Sequence, residues 1–191
     1  MSTTRNRAGQ AADQRMSERT EPAAESDAKT VDESRTVMAM QMQPTDANIW
    51  GNVHGGAILR LADEAGGAAA IRHSRMRCVT VAMDSMTFKQ PVYIGDLLTL
   101  TACLTHVGHT SMEVEVRIDA ENLRTGEKRH AGTSYLVYVA IDDAGRPTPV
   151  PGLIARTDEE RERWRAAAER RTRRGGRGST TEDTEERRGR R

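Results

Sequence analysis

Apolar residues recur at helical spacing through the centre of the chain. Between about Gly55 and His73 they fall three or four residues apart, which predicts one long helix with a single buried face. The residues of that face are Ile58, Leu61, Ala62, Ala65 and Ala69. Gly66 and Gly67 lie inside the same helix, where each costs about 1 kcal/mol relative to alanine. We therefore expect another element to pack closely against the helix at this point.

The segments around this helix alternate apolar and polar residues, as half-buried strands do. Val79, Val81 and Met83 follow this alternation directly after the helix. The same pattern predicts a leading strand at 36–42 and later strands at 97–106, 112–122 and 130–141. Because no further helices are available for crossovers between them, these strands should pair mainly as antiparallel neighbours. The pattern therefore predicts an α+β fold.

The two ends of the chain differ from its middle in composition. Residues 1–35 contain no Ile, Leu, Phe, Trp or Tyr, and residues 171–191 contain eight arginines and no large apolar residue. Segments of this kind cannot bury a core, so both are predicted to be disordered tails.

Between the tails we predict one domain and a terminal helix. The domain spans residues 36–156. Thr157 and Glu160 have the spacing of a capping box, which predicts a charged helix over 157–170. Trp164 on this helix should pack on the domain or on a neighbouring subunit.

Charge and cysteine content exclude several classes of function. The net charge is +1, from 29 Lys and Arg against 28 Asp and Glu, and the arginine-rich end has no aromatic residues for base stacking, so we predict no nucleic-acid partner. There is no apolar run of about 18 residues and no signal-peptide pattern, so neither a membrane nor export is expected. Cys78 and Cys103 suit reduced strand positions. These features favour the cytoplasm.

A glycine-rich turn directly before the central helix carries the candidate chemistry. Residues 51–64 read GNVHGGAILRLADE. Such a turn leaves backbone N–H groups free at a helix start, where they can stabilise an oxygen that is becoming negative. Asp63 and Glu64 follow about two turns into the helix, since an α-helix has about 3.6 residues per turn. The combination indicates a hydrolytic site.

Taken alone, each of these residues also has an ordinary structural interpretation. Asp63 falls opposite the apolar stripe, so its spacing favours a solvated helix residue, and Asn52 has the chemistry of a common turn residue. Glu64 points about 100° away from Asp63 and is interpreted as a surface or interface charge. The chain has no Gly-x-Ser-x-Gly motif for a serine nucleophile. Its five histidines lack the spacing of metal ligands, so no metal site is predicted.

The ordered set of motifs resembles the hotdog-fold acyl-CoA thioesterases, in their cytosolic acyl-CoA hydrolase branch. The family pattern P-x-D-x-N-x-x-G-x-V-H-G-G matches residues 44–56, the helical D-E pair matches 63–64, and the resemblance extends over about 36–170. It implies a hotdog fold, in which an antiparallel sheet wraps a long central helix and two copies dimerise through the sheet. It also implies an acyl-CoA substrate, no cofactor, and a homodimer or a trimer of dimers.

The resemblance also implies roles for individual residues. Asp63 would activate water for attack on the thioester carbonyl, and Asn52, which cannot act as a base, would orient water or substrate. The N–H groups of Gly55 and Gly56 would hold the carbonyl oxygen. His54 would anchor the backbone or line the pocket, with a general-base role as the alternative.

Further expectations concern coenzyme A and the subunit arrangement. Thr110 and Ser111 lie in a hairpin that the resemblance places near the phosphates of CoA. In relatives of this kind, the Asn of the glycine-rich turn and the Asp of the helix come from different subunits. Two alternatives remain: a hydratase or dehydratase of acyl thioesters, which Asn52 disfavours because it is not an acid or base, and a non-catalytic acyl-CoA-binding module.

Overall fold

The computed structural model describes residues 27–188, with side chains to residue 174. In chain order the helices and strands are β1 (Lys29–Thr30), α1 (Val31–Ser34), β2 (Thr36–Gln41), α2 (Gly55–Ser74), β3 (Arg77–Phe88), β4 (Leu97–Val107), β5 (Ser111–Glu121), β6 (Lys128–Ile141), β7 (Leu153–Ile154) and α3 (Asp158–Arg188). A short 3-10 turn, Pro44–Asp46, lies between β2 and α2.

Five strands form one antiparallel sheet in the order β2-β4-β5-β6-β3. The long helix α2 packs on one face of this sheet, and all five residues of its predicted apolar stripe are buried. The helix and the five main strands lie where the sequence predicts them, and the α+β class is confirmed. The small strands β1 and β7 pair with each other in parallel, outside the main sheet.

The expected close packing against the second half of α2 is present at Gly66. A Cβ atom on this residue would lie 2.5 Å from the hydroxyl oxygen of Tyr138 on β6. No side chain fits at that separation, so glycine allows the helix and the sheet to approach.

The N-terminal boundary predicted from composition is wrong for residues 29–35. Thr30 caps α1 in a capping box with Glu33, and Val31 and Ser34 are buried. The Ser34 hydroxyl lies 2.8 Å from Nδ1 of His73, near the end of α2. This segment is therefore part of the fold, whereas residues 1–26 of the predicted tail lie outside the described residues.

The C-terminal helix also extends beyond its predicted end at residue 170. Its arginines pair with acidic side chains on the outer face of the sheet: Arg170 lies 2.7 Å from Glu113, and Arg174 contacts Asp84. Trp164 stacks on His106 with ring centroids 4.4 Å apart, so the expected packing of this tryptophan on the domain is confirmed. These contacts make Arg174 part of the fold, so the predicted tail begins too early, and residues 189–191 lie outside the described residues.

Strand β3 is an edge strand and carries exposed apolar side chains. Val79, Val81 and Met83 are all more than 40% exposed. An exposed apolar edge is a surface on which a second chain can pair. Among the helices of the described range, none combines the length and hydropathy of a membrane span.

Candidate active site

The turn before α2 is held by a dense set of local hydrogen bonds. The backbone N–H of Asn48 donates to the carbonyl of Asn52 at 2.7 Å, and Gly51 has φ +84°, which favours glycine. The side-chain oxygen Oδ1 of Asn48 accepts from the N–H groups of Trp50 at 2.8 Å and Asn52 at 3.2 Å. Because Oδ1 is occupied, the amide NH2 of Asn48 is the part of this side chain that can donate to a ligand.

The start of α2 is capped by a histidine ring. Nδ1 of His54 accepts from the N–H of Gly56 at 2.9 Å, so in this arrangement Nδ1 is unprotonated and Nε2 carries the proton. The ring therefore anchors the backbone and has no free lone pair for a general-base role. The Gly56 N–H, which the resemblance assigns to an oxyanion, donates to this ring in the structure, and its role toward a substrate stays a prediction. Within the described residues, the N–H of Gly55 has no acceptor.

An open cleft of about 410 Å³ lies beside this helix start. Its lining residues are Asn48, Asn52, Val53, Gly55, Ile58, Phe88, Lys89, Gln90, Pro91 and Val92. The Phe88 ring lies 3.4 Å from the position that a Cβ atom of Gly55 would take, so the ring covers the glycine closely. The structure thus brings the Asn48 amide and the Gly55 N–H to one largely apolar cleft.

A buried ion pair holds residues 91–96 in place, of which Pro91 and Val92 line the cleft. Asp96 is 3% exposed, pairs with Arg129 and accepts from the N–H of Tyr93 at 2.7 Å. Arg129 also donates to the carbonyl of Pro91 at 3.1 Å. Residues 91–96 are also hydrogen-bonded to the glycine-rich turn, because the N–H of Val53 donates to the Val92 carbonyl at 2.9 Å.

Asp63 is half-buried against two hydroxyl groups rather than free in solvent. Thr80 on β3 donates to its Oδ1 at 2.7 Å, and the Tyr138 hydroxyl lies 3.1 Å from the same oxygen. Burial, followed by the charge of Asp63, raises the pKa of Tyr138, so this hydroxyl keeps its proton. The solvated position that spacing favoured for Asp63 is therefore wrong. Glu64 is exposed and pairs with Arg60 at 2.6 Å, which confirms it as a surface charge.

A single chain does not bring Asp63 to the cleft. Asp63 is absent from the cleft lining. It follows Gly55 by eight residues, which is about 12 Å along a helix axis at ~1.5 Å per residue. The turn and the carboxylate are two separate groups on the surface of one chain.

Thr110 and Ser111 lie in the hairpin that connects β4 to β5. They do not line the cleft. Gly108 in this hairpin donates to the Ser111 carbonyl at 2.7 Å, and the Arg171 guanidinium lies beside it. Their role in binding CoA stays a prediction.

Comparison with known proteins identifies the family. The Thioesterase superfamily matches residues 51–127. The chain is 39% identical over 128 residues to the uncharacterized acyl-CoA thioester hydrolase YkhA of Bacillus subtilis, covering 67% of this chain and 74% of that protein. Similar solved structures include an apo-hexameric acyl-CoA thioesterase, with a TM-score of 0.77, 38% identity, and coverage of 79% of this chain and 97% of that one.

A second structural relative is the acyl-CoA hydrolase of Staphylococcus aureus, solved in complex with butyryl-CoA, CoA and CoA disulfide. It is 33% identical with a TM-score of 0.76, over 83% of this chain and 97% of that one. The helix wrapped by an antiparallel sheet is the hotdog fold of these thioesterases. The present chain belongs to the thioesterase superfamily, among its hotdog-fold acyl-CoA thioester hydrolases.

Two residues beside the candidate site were missed by sequence reasoning. Alanine variants of the S. aureus hydrolase change an asparagine at its position 28, an aspartate at 43 and a threonine at 60, which are 15 and 17 residues apart. Asn48, Asp63 and Thr80 have the same residue types and the same two spacings. Asn48 could have been found, because it is the asparagine of the family pattern. Thr80 gives no local signal, since only folding brings β3 to Asp63.

Proposed function

We propose that this protein hydrolyses acyl-CoA thioesters to a free carboxylic acid and CoA, in a site that two copies of the chain share. The observation that carries the shared site is the separation of its two parts. The oxyanion-binding turn opens on the cleft, whereas the carboxylate of Asp63 lies about two turns along the helix, at ~5.4 Å per turn, against an edge strand. A second copy joins the two parts.

Pairing through β3 supplies the geometry. When the β3 strands of two copies pair in antiparallel orientation, opposite ends of the two strands lie side by side. The Thr80 end of one β3 then approaches the Phe88 end of the other. Asp63 contacts Thr80, and Phe88 lines the cleft. The carboxylate of each chain therefore reaches the cleft of its partner. Apolar Val79, Val81 and Met83 become covered in the same step.

The reaction uses water and protein groups alone. Asp63 accepts a proton from a water molecule as the water oxygen attacks the thioester carbonyl carbon. The carbonyl oxygen becomes negative and is stabilised by the Asn48 NH2 and the Gly55 N–H. The tetrahedral intermediate then collapses, the C–S bond breaks, and the CoA sulfur leaves as it takes up the proton. We assign the amide role to Asn48, and Asn52, which also lines the cleft, is the alternative.

We propose no cofactor, because none of these steps transfers electrons or needs a Lewis acid. The acyl chain would lie in the cleft along Ile58, Phe88 and Val92. The assembly would be a dimer through β3, either alone or as three such dimers. The cytoplasm is the proposed compartment, since Cys78 and Cys103 are both free thiols.

Thiol release from a series of acyl-CoA esters, from short to long chains, tests the activity. The wild-type protein should release CoA from at least one ester, and Asp63→Asn should slow the release by about 100-fold or more. Glu64→Gln is the matched control, because it makes the same chemical change at the exposed neighbouring residue. Flat traces for every ester with folded wild-type protein would leave the acyl-CoA-binding module as the better interpretation.

A further inference from the structure

Tyr138 makes a contact that the reaction described above does not use. It lies on β6, it is 2% exposed, and it faces α2 at Asp63. Its hydroxyl lies 3.1 Å from Oδ1 of Asp63 and 3.0 Å from the backbone carbonyl of the same residue. A buried phenol with its hydroxyl on a carboxylate is a strong donor placed against the proposed base.

The donors around Asp63 are distributed unequally between its two oxygens. Thr80 and Tyr138 both approach Oδ1, from strands β3 and β6. Within the described residues, Oδ2 takes part in no hydrogen bond. Two donors from different strands fix the plane of the carboxylate and leave Oδ2 as the oxygen that can accept a proton from water.

We infer that Tyr138 is a positioning residue for thioester hydrolysis, whose hydroxyl holds Oδ1 of Asp63 so that Oδ2 faces the reacting water. This inference rests on the proposed function of Asp63 as the base. Tyr138 acts through Asp63 and does not itself contact the substrate.

The central helix is adapted to this contact at Gly66. A Cβ atom there would lie 2.5 Å from the Tyr138 hydroxyl but 3.2 Å from the nearest ring carbons. The space left by the glycine is therefore occupied mainly by the hydroxyl group. The hydroxyl is the tightest of these contacts, which accounts for a glycine inside the helix.

The first experiment replaces Tyr138 by Phe, which removes the hydroxyl and keeps the ring. We expect kcat to fall about tenfold with little change in KM, the scale of one hydrogen bond to a charged group. The split between kcat and KM is the readout, because Tyr138 acts through Asp63 and does not contact the substrate.

Tyr135→Phe is the matched control for this change. Tyr135 lies on the same strand, and its hydroxyl donates to Glu115 at 2.8 Å instead of to Asp63. It should leave both kcat and KM as in the wild type. If Tyr138→Phe melts like the wild type and leaves kcat unchanged, the positioning role is overturned and Tyr138 is only a packing residue.

A second variant tests the link to Gly66. Gly66→Ala should displace the hydroxyl and lower kcat about as much as Tyr138→Phe does, while adding Tyr138→Phe to Gly66→Ala should cost less than twofold more. Losses that multiply in the double variant would contradict a shared cause. Asp63→Asn belongs in the same assay, because near-wild-type turnover by that variant would overturn the proposed base, whatever Tyr138 does.

Discussion

The two ends of the central helix α2 are built in different ways. At its N-terminal end, the cap comes from the adjacent His54, and the Gly55 N–H is left open to the cleft. At its C-terminal end, His73 is completely buried, and its ring contacts Ser34 at 2.8 Å and the Pro151 carbonyl at 2.9 Å. These partners are 39 and 78 residues away along the chain.

The N-terminal end of α2 therefore serves function, and its C-terminal end serves stability. Polar groups left without partners at the first end are available to a substrate, whereas those of His73 are all used to hold the fold together. Changes between Asn48 and Asp63 should therefore reduce turnover in a folded protein. Changes around His73 should reduce stability and leave turnover per folded molecule intact.

The largest expected effect is that of Asp63→Ala. It should lower kcat by about 100-fold or more, the usual scale for loss of a general base. Its melting temperature should stay near the wild-type value, because Asp63 is only half-buried. Thiol-release kinetics and thermal melts measure the two quantities, with Glu64→Ala as the control. Near-wild-type turnover would remove Asp63 from the mechanism.

The next comparison decides between Asn48 and Asn52. Asn48→Asp keeps an oxygen for the N–H groups of Trp50 and Asn52 but removes the NH2 donor. We expect kcat to fall about 10- to 100-fold, as for loss of an oxyanion donor. Asn52→Asp should have a smaller effect. The reverse order of the two kcat values would return the amide role to Asn52.

A smaller effect is expected at Thr80. Thr80→Val is similar in shape and removes the donor to Asp63, so kcat should fall about tenfold. Thr80→Ser should recover most of the loss, because the hydroxyl returns. Equal kcat values for the Val and Ser variants would show that shape, not the hydrogen bond, matters at this position.

The smallest expected effect lies at the other end of α2 and appears in stability. Burial lowers the pKa of His73, and burial likewise lowers that of His106. Both histidines bind a proton more weakly in the fold than in the unfolded chain, so the stability that they contribute is complete above about pH 6.5 and is lost as the pH falls below it.

Thermal melts between pH 7.5 and 5 measure this loss. His73→Gln should melt lower than the wild type at pH 7.5 and should show a weaker decline toward pH 5, with little change in kcat at a temperature where it is folded. His109→Gln, a change at an exposed histidine, should keep the wild-type decline. A parallel decline in the wild type and His73→Gln would contradict the role of His73.

Much of the fold could be predicted because its signals are local. The period of α2 and the alternation of β3 to β6 each lie within a short stretch of sequence. The segment Lys29–Ser34 was missed because Val31 and Ser34 have no periodic pattern, and Ser34 contacts His73 far along the chain. The continuation of α3 was missed for the same reason, since its arginines pair with Glu113 and Asp84 on distant strands.

The candidate site divides in the same way. The turn could be predicted from sequence because Asn48 to Gly56 are contiguous. The choice of Asn48 over Asn52, and of the Gly55 N–H over that of Gly56, depends on the hydrogen bonds of the folded turn. The surroundings of Asp63 could not be read, because Thr80 and Tyr138 reach it only when two strands fold over the helix.

The central claim is that each site takes its turn from one chain and its carboxylate from another. Mixing impaired Asn48→Ala chains with impaired Asp63→Ala chains tests it most directly. Random 1:1 reassortment makes about half of the dimers mixed, and each mixed dimer has one site with both changes and one with neither. Thiol release after co-expression or co-refolding should approach a quarter of the wild-type activity, whereas each variant alone should keep only a small residual activity. No recovery, with mixed dimers demonstrated by mass spectrometry, would mean that both residues act within one chain.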